Sequence, residues 1–578
     1  MKTFLKWLAG VLAVFFLLIL TLVIFIGFLF GFLVDTEPKV VDNSYLYMRL
    51  SGGIPEYVAP DPIEEALGDF TLDIKRFREN LEKAQVDDRI NGVILEISYS
   101  GISYSKIQEV HQLISNFKKS SKKIYAYLGS EMAATSDYYL ATACDSIYMS
   151  PTANLFINGL GSEITFYKDF FKKIGVEAEF LQIGRYKNAP DVYTRESISP
   201  FHKEVLDNML DYYYKDIIRT IASNRNLSTE EVDDFINNQS AATGTQAFDL
   251  GLIDGTAYFN EIVEKLNFTG DTPEKVSAAD YAEIPISSLD IRNKSRIAVV
   301  NCVGTIAGGS NSDDPFMGMI VGANSVAQNL KSAASSRSIK AIILRIDSPG
   351  GSAGAADLIW KAVHDASGKK PVIASVSGYG ASGGYYIALG ADTMITNPGS
   401  LVGSIGIFAG KFNIQKLYDK LDINSETFKR GDNAGFFQIS EPWTDSQRKV
   451  IYNLINDFYQ NFLQKVSDAR GLTIEQVKAV AEGHVWLGEE AVKEKLFDFN
   501  GDFYKAIETA KQMAGIDSSE SVRLVYYPKS KSFWSEIFSS IQAKWSQLDQ
   551  YRFVYLINYI NQIQNKPLVL MPFIIDIK

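Results

Sequence analysis

The strongest constraint on the fold of this 578-residue chain is an internal repeat. Three pairs of identical residues share a separation of 247 positions: Tyr138 and Tyr385, Asp145 and Asp392, and Pro151 and Pro398. Upstream, residues 89–95 resemble residues 338–344 at a separation of 249. Solenoid repeats span only about 20 to 50 residues. So long a period therefore indicates a duplicated domain rather than an array of small repeats.

Each copy is predicted to alternate strands with helices. In copy one, strands are expected at 45–50, 92–97 and 123–127, and helices at 74–84 and 106–117. In copy two, strands are expected at 297–303, 341–346 and 371–376, and helices at 323–334, 355–364 and 385–391. The strands are almost continuously apolar, which favours an α/β fold with mainly parallel sheets covered on both faces. A helical arm is expected in each copy, at 199–238 and 443–482.

The N-terminal region is predicted to cross a membrane. Residues 7–34 contain no charged residue and exceed the roughly 20 residues needed to span a bilayer. No A-x-A cleavage site follows the apolar run, which argues against a removable signal peptide. Lys2 and Lys6 precede it and acidic residues follow it. The positive-inside rule then leaves the N-terminus in the cytoplasm and the rest of the chain outside it.

The predicted organisation has five parts. They are a transmembrane anchor at 1–38, repeat 1 at 39–271, a linker at 272–293, repeat 2 at 294–514 and a tail at 515–578. The tail carries five apolar residues at helical spacing, which indicates an amphipathic segment: Phe533, Trp534, Ile537, Phe538 and Ile541. Two roles stay open for this segment. It packs against the body or another subunit, or it makes a second membrane contact.

Composition argues against several classes of protein. The net charge of −11 argues against a general nucleic-acid binder. Cys144 and Cys302 lie in apolar, strand-like surroundings and form no C-x-x-C pair, so we expect buried free thiols. The four histidines contain no H-E-x-x-H motif and no close pair. We therefore predict neither a metal site nor a cofactor.

Residues 377–386 carry the first indication of chemistry. They place Ser382 in a glycine-rich turn at the expected start of a helix, where unpaired backbone N–H groups are available. The same residues also match the G-x-S-x-G nucleophile elbow and the G-x-G-x-x-G dinucleotide fingerprint. The stretch alone does not decide among these three interpretations.

A comparison between the copies favours a catalytic pair. At the 247-residue separation, Ser382 corresponds to Thr135, and Lys187 corresponds to Ala434. Copy one thus keeps the lysine and lacks the serine, whereas copy two keeps the serine and lacks the lysine. A serine becomes a nucleophile when a base takes its proton, and a lysine is a base when burial holds it neutral. We therefore predict a Ser–Lys dyad.

A second glycine-rich segment supplies candidate oxyanion donors. Gly350, Gly351 and Ser352 directly follow an apolar strand. Adjacent glycines can aim a backbone N–H at a developing oxyanion and leave room for an extended peptide. Either glycine is a candidate donor, and the N–H of Gly383, which follows the predicted nucleophile, is the second donor. The substrate is expected to lie extended beside residues 350–352, paired through its backbone.

These motifs resemble the signal peptide peptidase A family in its long form. The resemblance rests on Asp347-Ser-Pro-Gly-Gly-Ser, Gly380-Ala-Ser-Gly-Gly-Tyr-Tyr, Gly403-Ser-Ile-Gly and Tyr186-Lys187, and it covers residues 1 to about 515. It implies tandem Clp-protease/crotonase-like domains with Ser382 as nucleophile and Lys187 as general base. One departure is Asn188, where the family often has serine or threonine.

The same resemblance implies where such a protease works and on what. It would be anchored by one span in the bacterial inner membrane, with its catalytic domains on the extracytoplasmic side. It would degrade leftover signal peptides and similar apolar peptides. It would also assemble into a bowl-shaped homo-oligomer, a tetramer in the long form.

Four alternatives stay open. An α/β-hydrolase esterase would need a histidine after Ser382, and only His484 lies there. A dinucleotide-binding protein would need an acidic residue that residues 400–406 lack. A crotonase-type acyl-CoA enzyme would share the fold, although the duplicated, anchored form argues against it. A non-enzymatic membrane scaffold would not react with a serine-directed probe.

Overall fold

The computed structural model of the chain describes residues 40–59, 70–98, 101, 103–129, 131–265, 273–289, 295–314, 318–529 and 568–571, with six isolated positions among the first 21. The predicted anchor at 7–34 lies almost wholly outside the described residues. The predicted amphipathic segment at 533–541 lies wholly outside them. Among the residues that are described, no helix combines the length and the apolar character that crossing a membrane requires.

Copy one is built on a six-stranded parallel sheet. Its strands are β1 (Ser44–Ser51), β2 (Ile90–Ser98), β3 (Lys123–Leu128), β4 (Met132–Ala133), β5 (Ser146–Met149), β6 (Asn154–Phe156), β7 (Glu177–Ile183), β8 (Ala241–Thr243), β9 (Gly255–Thr256) and β10 (Glu274–Ser277). Its helices are α1 (Ile74–Val86), α2 (Tyr104–Phe117), α3 (Thr135–Ala141), α4 (Lys168–Ile174), α5 (Asp191–Thr194), α6 (Pro200–Arg225), α7 (Thr229–Asp234), α8 (Gly244–Asp249), α9 (Phe259–Lys265) and α10 (Ala278–Ala282). The sheet order is β10-β1-β2-β3-β5-β9.

Copy two repeats this plan with a larger sheet. Its strands are β11 (Ser295–Val303), β12 (Thr305–Ala307), β13 (Ser312–Asp314), β14 (Gly318–Gly322), β15 (Ile339–Ser348), β16 (Gly350–Ser352), β17 (Val372–Ala381), β18 (Thr393–Thr396), β19 (Leu401–Gly403), β20 (Ile407–Asn413), β21 (Val485–Leu487), β22 (Phe499–Asn500), β23 (Val522–Tyr527) and β24 (Leu568–Leu570). Its helices are α11 (Ala323–Ser335), α12 (Ala353–Ser367), α13 (Gly383–Ala388), α14 (Gln415–Lys420), α15 (Asp445–Arg470), α16 (Ile474–Val480), α17 (Gly488–Lys493) and α18 (Phe503–Met513). The main path of this sheet is β21-β19-β17-β15-β11-β23.

The predicted duplication is confirmed in the order of elements. β2 and β15 begin 249 residues apart, and so do the helices α2 and α12 that follow them. The central strands of both sheets are parallel and buried on both faces, as expected for strands that are almost continuously apolar.

Two parts of the chain differ from the sequence prediction. Residues 377–381, predicted as a turn, continue β17, because this end of the strand keeps a pair with β15 and exchanges its neighbour β18 for β19. Residues 522–527, predicted to lie in the tail, form β23, which pairs in parallel with β11 at the sheet edge. The alternating Val522, Leu524 and Tyr526 pack against the underside of that sheet, so burial of apolar side chains explains the addition.

The helical arms are bounded by strong capping residues. α6 begins after Ser199, whose side chain caps the helix, with Pro200 in the first turn, where proline is well tolerated. α15 begins after Thr444, which forms a capping box with Gln447. It ends at Gly471 in the left-handed conformation, a common helix terminator. Each arm is 26 residues long.

The two copies are joined by a ladder between strands from different halves. β7 of copy one pairs antiparallel with β20 of copy two over seven residue pairs, from Glu177↔Asn413 to Ile183↔Ile407. These strands belong to a third sheet with the order β13-β14-β12-β16-β24-β20-β7. The ladder delivers the chain that leaves β7 to the edge of copy two.

A buried ionic cluster also joins the copies. Arg345 of β15 is 1% exposed and lies 2.6 Å from Glu56; it also pairs with Glu109 of α2. Burial raises the pKa of Glu109 to about 7, despite the opposing effect of Arg345. Removing one member would leave a buried charge without its partner, which typically costs about 3 to 5 kcal/mol.

Candidate active site

Ser382 lies at the junction of β17 and α13 in a strained backbone conformation. Its φ is 56° and its ψ is −111°, a region that costs a non-glycine residue roughly 1–3 kcal/mol. Its N–H donates to the carbonyl of Gly403 at 2.7 Å, which helps to hold the turn. The side chain is fully buried. Ser382 is the N-cap residue of α13, so the turn places it directly at the start of that helix.

Lys187 reaches this serine from copy one. It follows β7 by four residues and is fully buried. Its Nζ lies 2.6 Å from Ser382 Oγ, although the two residues are 195 positions apart in sequence. The structure thus brings the predicted base and the predicted nucleophile into contact within one chain.

Ser404 accepts hydrogen bonds from the amine of Lys187. Lys187 Nζ lies 2.9 Å from Ser404 Oγ and 3.1 Å from the Ser404 carbonyl oxygen. A neutral amine has two N–H donors and one lone pair. With both donors directed at Ser404, the lone pair is left for the hydroxyl of Ser382.

The environment of Lys187 favours its neutral form. Complete burial lowers the pKa of its ammonium group well below the ordinary value of 10.5. Desolvation penalises the charged form of a lysine because the low-dielectric interior cannot replace the lost hydration. A lysine in this setting is neutral, and able to accept a proton, at a lower pH than a solvated lysine.

The loop that carries Lys187 is held by a matching loop of copy two. The N–H of Tyr186 donates to the carbonyl of Glu482 at 2.9 Å, and Arg185 pairs with the Glu482 carboxylate. Gly483 has a φ of 80°, and a Cβ there would approach the backbone of Lys187 to 2.6 Å. Only glycine allows the two backbones to lie so close.

The three candidate oxyanion donors differ in their surroundings. Gly383 is the first residue of α13, directly after Ser382. The N–H of Gly350 donates to Ser348 Oγ at 3.2 Å, and Ser348 Oγ in turn donates to the carbonyl of Gly304 at 2.6 Å. Gly351 follows with a φ of 156°. Of the two adjacent glycines, Gly351 is therefore the one whose N–H is not already directed at Ser348.

A short strand of the chain's own C-terminal region lies beside these glycines. β24 pairs antiparallel with β16, with Gly351 opposite Val569, and it also contacts β20 through Leu568. The N–H of Met571 donates to the carbonyl of Pro349 at 2.7 Å. β24 therefore fills the position, between β16 and β20, that was predicted for a bound peptide. Ser352, the third predicted residue of this groove, also caps α12.

The side chain of Met571 shows what kind of residue this groove accepts. It is buried and belongs to an apolar cluster that includes four residues near the site: Ala381, Leu401, Val485 and Leu487. A peptide in the position of residues 568–571 would therefore present an apolar side chain here.

Asp347 connects the oxyanion segment to the nucleophile strand. One carboxylate oxygen lies 2.6 Å from Nζ of Lys106 in copy one. The other accepts from the N–H of Tyr379, three residues before Ser382, at 2.9 Å. Burial alone would lower the pKa of Lys106, but the carboxylates of Asp347 and Glu56 raise it above its ordinary value. The cation and the carboxylate thus stabilise each other where both are largely shielded from water.

His484 has a structural position. Its ring packs against Tyr186 at 4.5 Å and Trp486 at 4.1 Å between ring centroids, and its backbone carbonyl accepts from the N–H of Ser404 at 2.7 Å. Burial lowers the pKa of its imidazole to about 4. Among the hydrogen bonds of the described residues, none joins its ring to Ser382.

Sequence reasoning missed Ser404 and Gly483. The segment Gly403-Ser404-Ile405-Gly406 contributed to the family resemblance, but nothing in its spacing linked Ser404 to Lys187. Gly483 precedes His484 and draws attention only once the loops are in contact. Both residues belong to the site because they contact Lys187 from the other copy, and that contact depends on tertiary structure.

Metal-ligating and thiol side chains are dispersed in the part of the chain that the structure describes. Within that part of the chain, no group of three or more His, Cys, Asp or Glu residues could hold a metal ion. Cys144 and Cys302 are free and buried, as predicted. Burial raises the pKa of the Cys302 thiol to about 12, which keeps it unreactive.

Comparison with known proteins agrees with this architecture. The family model described as Peptidase family S49 matches residues 116–270 and 364–517, one segment in each copy. The Clp protease family model matches residues 321–400, which include the Gly350–Ser352 segment and Ser382. The predicted similarity to Clp-type proteases is therefore confirmed directly for copy two, and the S49 segment is present in both copies.

Two of the three relatives described here match most of the chain, and the third matches about two fifths of it. "Serine protease SPPA, chloroplastic" from Arabidopsis thaliana is 33% identical over 514 residues, covering 87% of this chain and 74% of the relative. "Protease 4" from Haemophilus influenzae is 28% identical over 451 residues, covering 75% and 72%. "Putative signal peptide peptidase SppA" from Enterococcus faecium is 27% identical over 222 residues, covering 38% and 63%.

The duplicated Clp-protease-like α/β fold and these similarities define a serine protease of the signal peptide peptidase type. The sequence resemblance is thus confirmed. The chain belongs to peptidase family S49, and it contains the family segment twice.

Proposed function

We propose that Ser382 and Lys187 form the catalytic dyad of this protease. The observation that carries the proposal is the 2.6 Å separation of Lys187 Nζ and Ser382 Oγ in a fully buried setting. Burial lowers the pKa of Lys187, so a neutral amine is available as general base. The complementary losses at Thr135 and Ala434 support the same assignment.

The reaction follows the logic of serine acyl transfer. Neutral Lys187 accepts the hydroxyl proton as Ser382 Oγ attacks the peptide carbonyl, and a tetrahedral oxyanion forms. The ammonium of Lys187 then donates this proton to the leaving amine as the C–N bond breaks. Water, deprotonated by Lys187, attacks the acyl-enzyme, and Ser382 regains its proton as the acid product leaves.

The N–H groups of Gly383 and Gly351 would hold the oxyanion. The strand β24 supports the choice of Gly351 over Gly350. Bonded pairs alternate along an antiparallel ladder, and Met571 is bonded to Pro349. The next bonded pair is then Gly351 with Val569, so the N–H of Gly351 faces a peptide carbonyl. A substrate in the same register would present its own carbonyl to the same N–H.

The proposed substrates are apolar peptides, including cleaved signal peptides. The apolar neighbours of Met571 support an apolar side chain in the groove. The printed names of two relatives, "Serine protease SPPA" and "signal peptide peptidase SppA", support the signal-peptide class. Strand pairing with β16 supplies backbone hydrogen bonds that do not depend on sequence, which suits an enzyme for varied apolar fragments.

We also infer the cellular setting from the sequence. The uncharged run at 7–34 supports a single-span anchor in the bacterial inner membrane, with the catalytic copies on the extracytoplasmic side. This setting would place the groove on the side where cleaved signal peptides emerge. The family resemblance supports a homotetramer.

Labelling with a fluorophosphonate probe tests the dyad. The full-length protein in detergent should be acylated at Ser382, and both Ser382→Ala and Lys187→Ala should abolish labelling and peptide hydrolysis. His484→Ala should keep both within about tenfold, because its contacts with the site are made by its backbone and by packing. Labelling lost in His484→Ala and retained in Lys187→Ala would support the α/β-hydrolase alternative. An unlabelled, inactive wild type would support the scaffold.

A further inference from the structure

Gly399 of copy two is bound on both of its backbone groups by side chains of copy one. Its N–H donates to Gln108 Oε1 at 3.1 Å, and its carbonyl accepts from the hydroxyl of Tyr213 at 3.0 Å. A Cβ on residue 399 would approach Gln108 Oε1 to 2.5 Å, so the close approach of the two copies here requires glycine. Copy one thus holds this backbone position of copy two through two hydrogen bonds.

The two side chains that hold Gly399 are themselves fixed within copy one. Nε2 of Gln108 donates to the Asp216 carboxylate at 3.0 Å, which leaves the amide oxygen directed at Gly399. The ring of Tyr213 packs against Tyr104 with 4.2 Å between ring centroids, and the Tyr104 hydroxyl also donates to Asp216. Side chains that are locked by packing and by further hydrogen bonds hold their partners in a defined place.

The segment that begins at Gly399 carries two groups of the proposed active site. The carbonyl of Gly403 accepts from the N–H of Ser382 at 2.7 Å. Ser404 accepts hydrogen bonds from Nζ of Lys187. Ser404 follows Gly399 by five positions, and the strand β19 lies between them. A displacement at Gly399 would therefore reach the contacts of Lys187 through a short length of chain.

The conformation of Ser404 depends on the structure around it. Its φ is 52°, a positive value that is uncommon for residues other than glycine. Such conformations persist only where the neighbouring structure holds them. The N–H of Ser404 donates to the carbonyl of His484 at 2.7 Å, and the contacts of Gly399 hold the same segment from the side of copy one. Release of Gly399 would let Ser404 relax away from the lysine.

The corresponding residues of copy two differ. α2 and α12 begin 249 residues apart, so Gln108 corresponds to Asp357, which accepts instead from the hydroxyl of Tyr386 at 2.7 Å. The arms α6 and α15 begin 245 residues apart and have equal lengths. Tyr213 therefore corresponds to Phe458, which has no hydroxyl. The copy that supplies the lysine thus carries the side chains that hold the other copy.

We propose that Gln108 and Tyr213 are positioning residues for the dyad. Resting on the proposed function, they act through the backbone of Gly399. By fixing it, they keep Ser404 where it accepts hydrogen bonds from the amine of Lys187, so the lone pair of that amine faces the nucleophile. This role concerns the proton transfer and not the binding of the peptide. The two side chains should therefore control kcat and leave KM unchanged.

Removal of one hydroxyl tests the proposal in the full-length protein. A shift of about 1 Å at a reacting group can cost roughly 100-fold in rate, and a loosened segment should shift less, so Tyr213→Phe should lower kcat for an apolar peptide about 10-fold. Tyr138→Phe is the matched control, because Tyr138 is also a buried tyrosine of copy one and its hydroxyl donates to the carbonyl of Leu252 in the same copy. Urea unfolding should show similar losses of stability in both variants, but only Tyr213→Phe should lower kcat.

A double-variant cycle tests the route through Ser404. Ser404→Ala removes one of the two acceptors that the segment presents to Lys187. In that background, Tyr213→Phe should lower kcat by a smaller factor than in the wild type. The same loss in both backgrounds would reject the route through Ser404. Gln108→Met, which removes the acceptor for the N–H of Gly399, should reproduce the effect of Tyr213→Phe.

The outcomes separate this proposal from the dyad itself. Equal kcat in Tyr213→Phe and Tyr138→Phe would overturn the positioning role, as would a loss confined to KM. Lys187→Ala tests the dyad independently of the segment. If Lys187→Ala kept wild-type activity, the dyad and the positioning role would both be wrong. An inactive Lys187→Ala together with a fully active Tyr213→Phe would reject the positioning role alone.

Discussion

Lys187 Nζ lies 2.6 Å from Ser382 Oγ, and each residue comes from a different copy of the duplicated domain. The ladder between β7 and β20 spans this boundary and ends four residues before the lysine. Neither copy holds both groups, because Thr135 and Ala434 occupy the corresponding positions. The proposed active site thus depends on the packing of one copy against the other.

The pH dependence of acylation should report the neutral amine of Lys187. Burial lowers its pKa below 10.5, and only the neutral form accepts the serine proton. The rate of fluorophosphonate labelling should therefore rise with pH through this lowered pKa and reach a plateau below pH 10.5. A rise centred near pH 4, where His484 titrates, would contradict the assignment.

Lys187→Met should stabilise the protein while inactivating it. Between the lowered folded pKa and the ordinary value of 10.5, the unfolded chain binds a proton that the folded chain does not. The wild-type free energy of unfolding therefore rises with pH across this window. Methionine removes this pH dependence and should raise the free energy of unfolding by about 1 to 3 kcal/mol at neutral pH. Urea titration at several pH values measures the free energy of unfolding. The control Lys203→Met, at an exposed position, should leave its dependence on pH as in the wild type.

Gly483→Ala should displace Lys187. The added Cβ would meet the lysine backbone at 2.6 Å, and the loops must separate to relieve the contact. A shift of about 1 Å at a reacting group can cost roughly 100-fold in rate, so we expect a loss of at least that size in kcat/KM. Gly471→Ala is the matched control, since Gly471 also has positive φ but has open space around it. Equal losses of activity in both variants would reject this explanation.

Removal of the C-terminal strand should open the groove. A peptide and residues 568–570 cannot occupy the same edge of β16. A chain that ends at residue 567 should therefore show a lower KM for apolar peptides, with kcat little changed. A chain that ends at residue 571 keeps the strand and serves as the control. An unchanged or higher KM in the shorter chain would show that the strand supports the groove rather than competes for it.

Lys106→Met should lower kcat more than it raises KM. Lys106 neutralises Asp347, which connects the oxyanion segment to the nucleophile strand. Complete loss of one oxyanion donor lowers kcat by about 100- to 1,000-fold. A donor that is only displaced should cost less, so we expect kcat to fall by about 10- to 100-fold. Lys106→Arg should recover part of the rate. Lys83→Met, which removes another buried lysine of copy one, should leave kcat unchanged in the folded fraction.

Much of the fold follows from the sequence. The repeat distance, together with apolar strands and amphipathic helices, predicted two α/β copies, and β2, β15, α2 and α12 begin within two residues of their expected positions. The local sequence pattern was sufficient to locate these elements because each strand is apolar along its length. The loss of serine in one copy and of lysine in the other identified Ser382 and Lys187 before any contact was known.

Other features depend on contacts that no local pattern encodes. Residues 377–381 were predicted as a turn because they are rich in glycine. Gly378 instead meets a packing requirement within a strand, since a Cβ there would approach the Asp347 carboxylate to 2.6 Å. Ser404 and Gly483 acquire their roles from Lys187, which arrives from the other copy. The position of β24 is equally non-local, since it pairs with a strand more than 200 residues earlier in the chain.

If the proposed groove binds peptides, the strand β24 would make it selective for the amount of peptide as well as for its chemistry. A segment tethered to its own binding site competes at an effective concentration far above that of a dilute free peptide. A free peptide wins this competition only if it binds more tightly than the tethered strand or accumulates to a comparable local level. A protease built in this way would ignore scattered peptides and respond where apolar fragments accumulate.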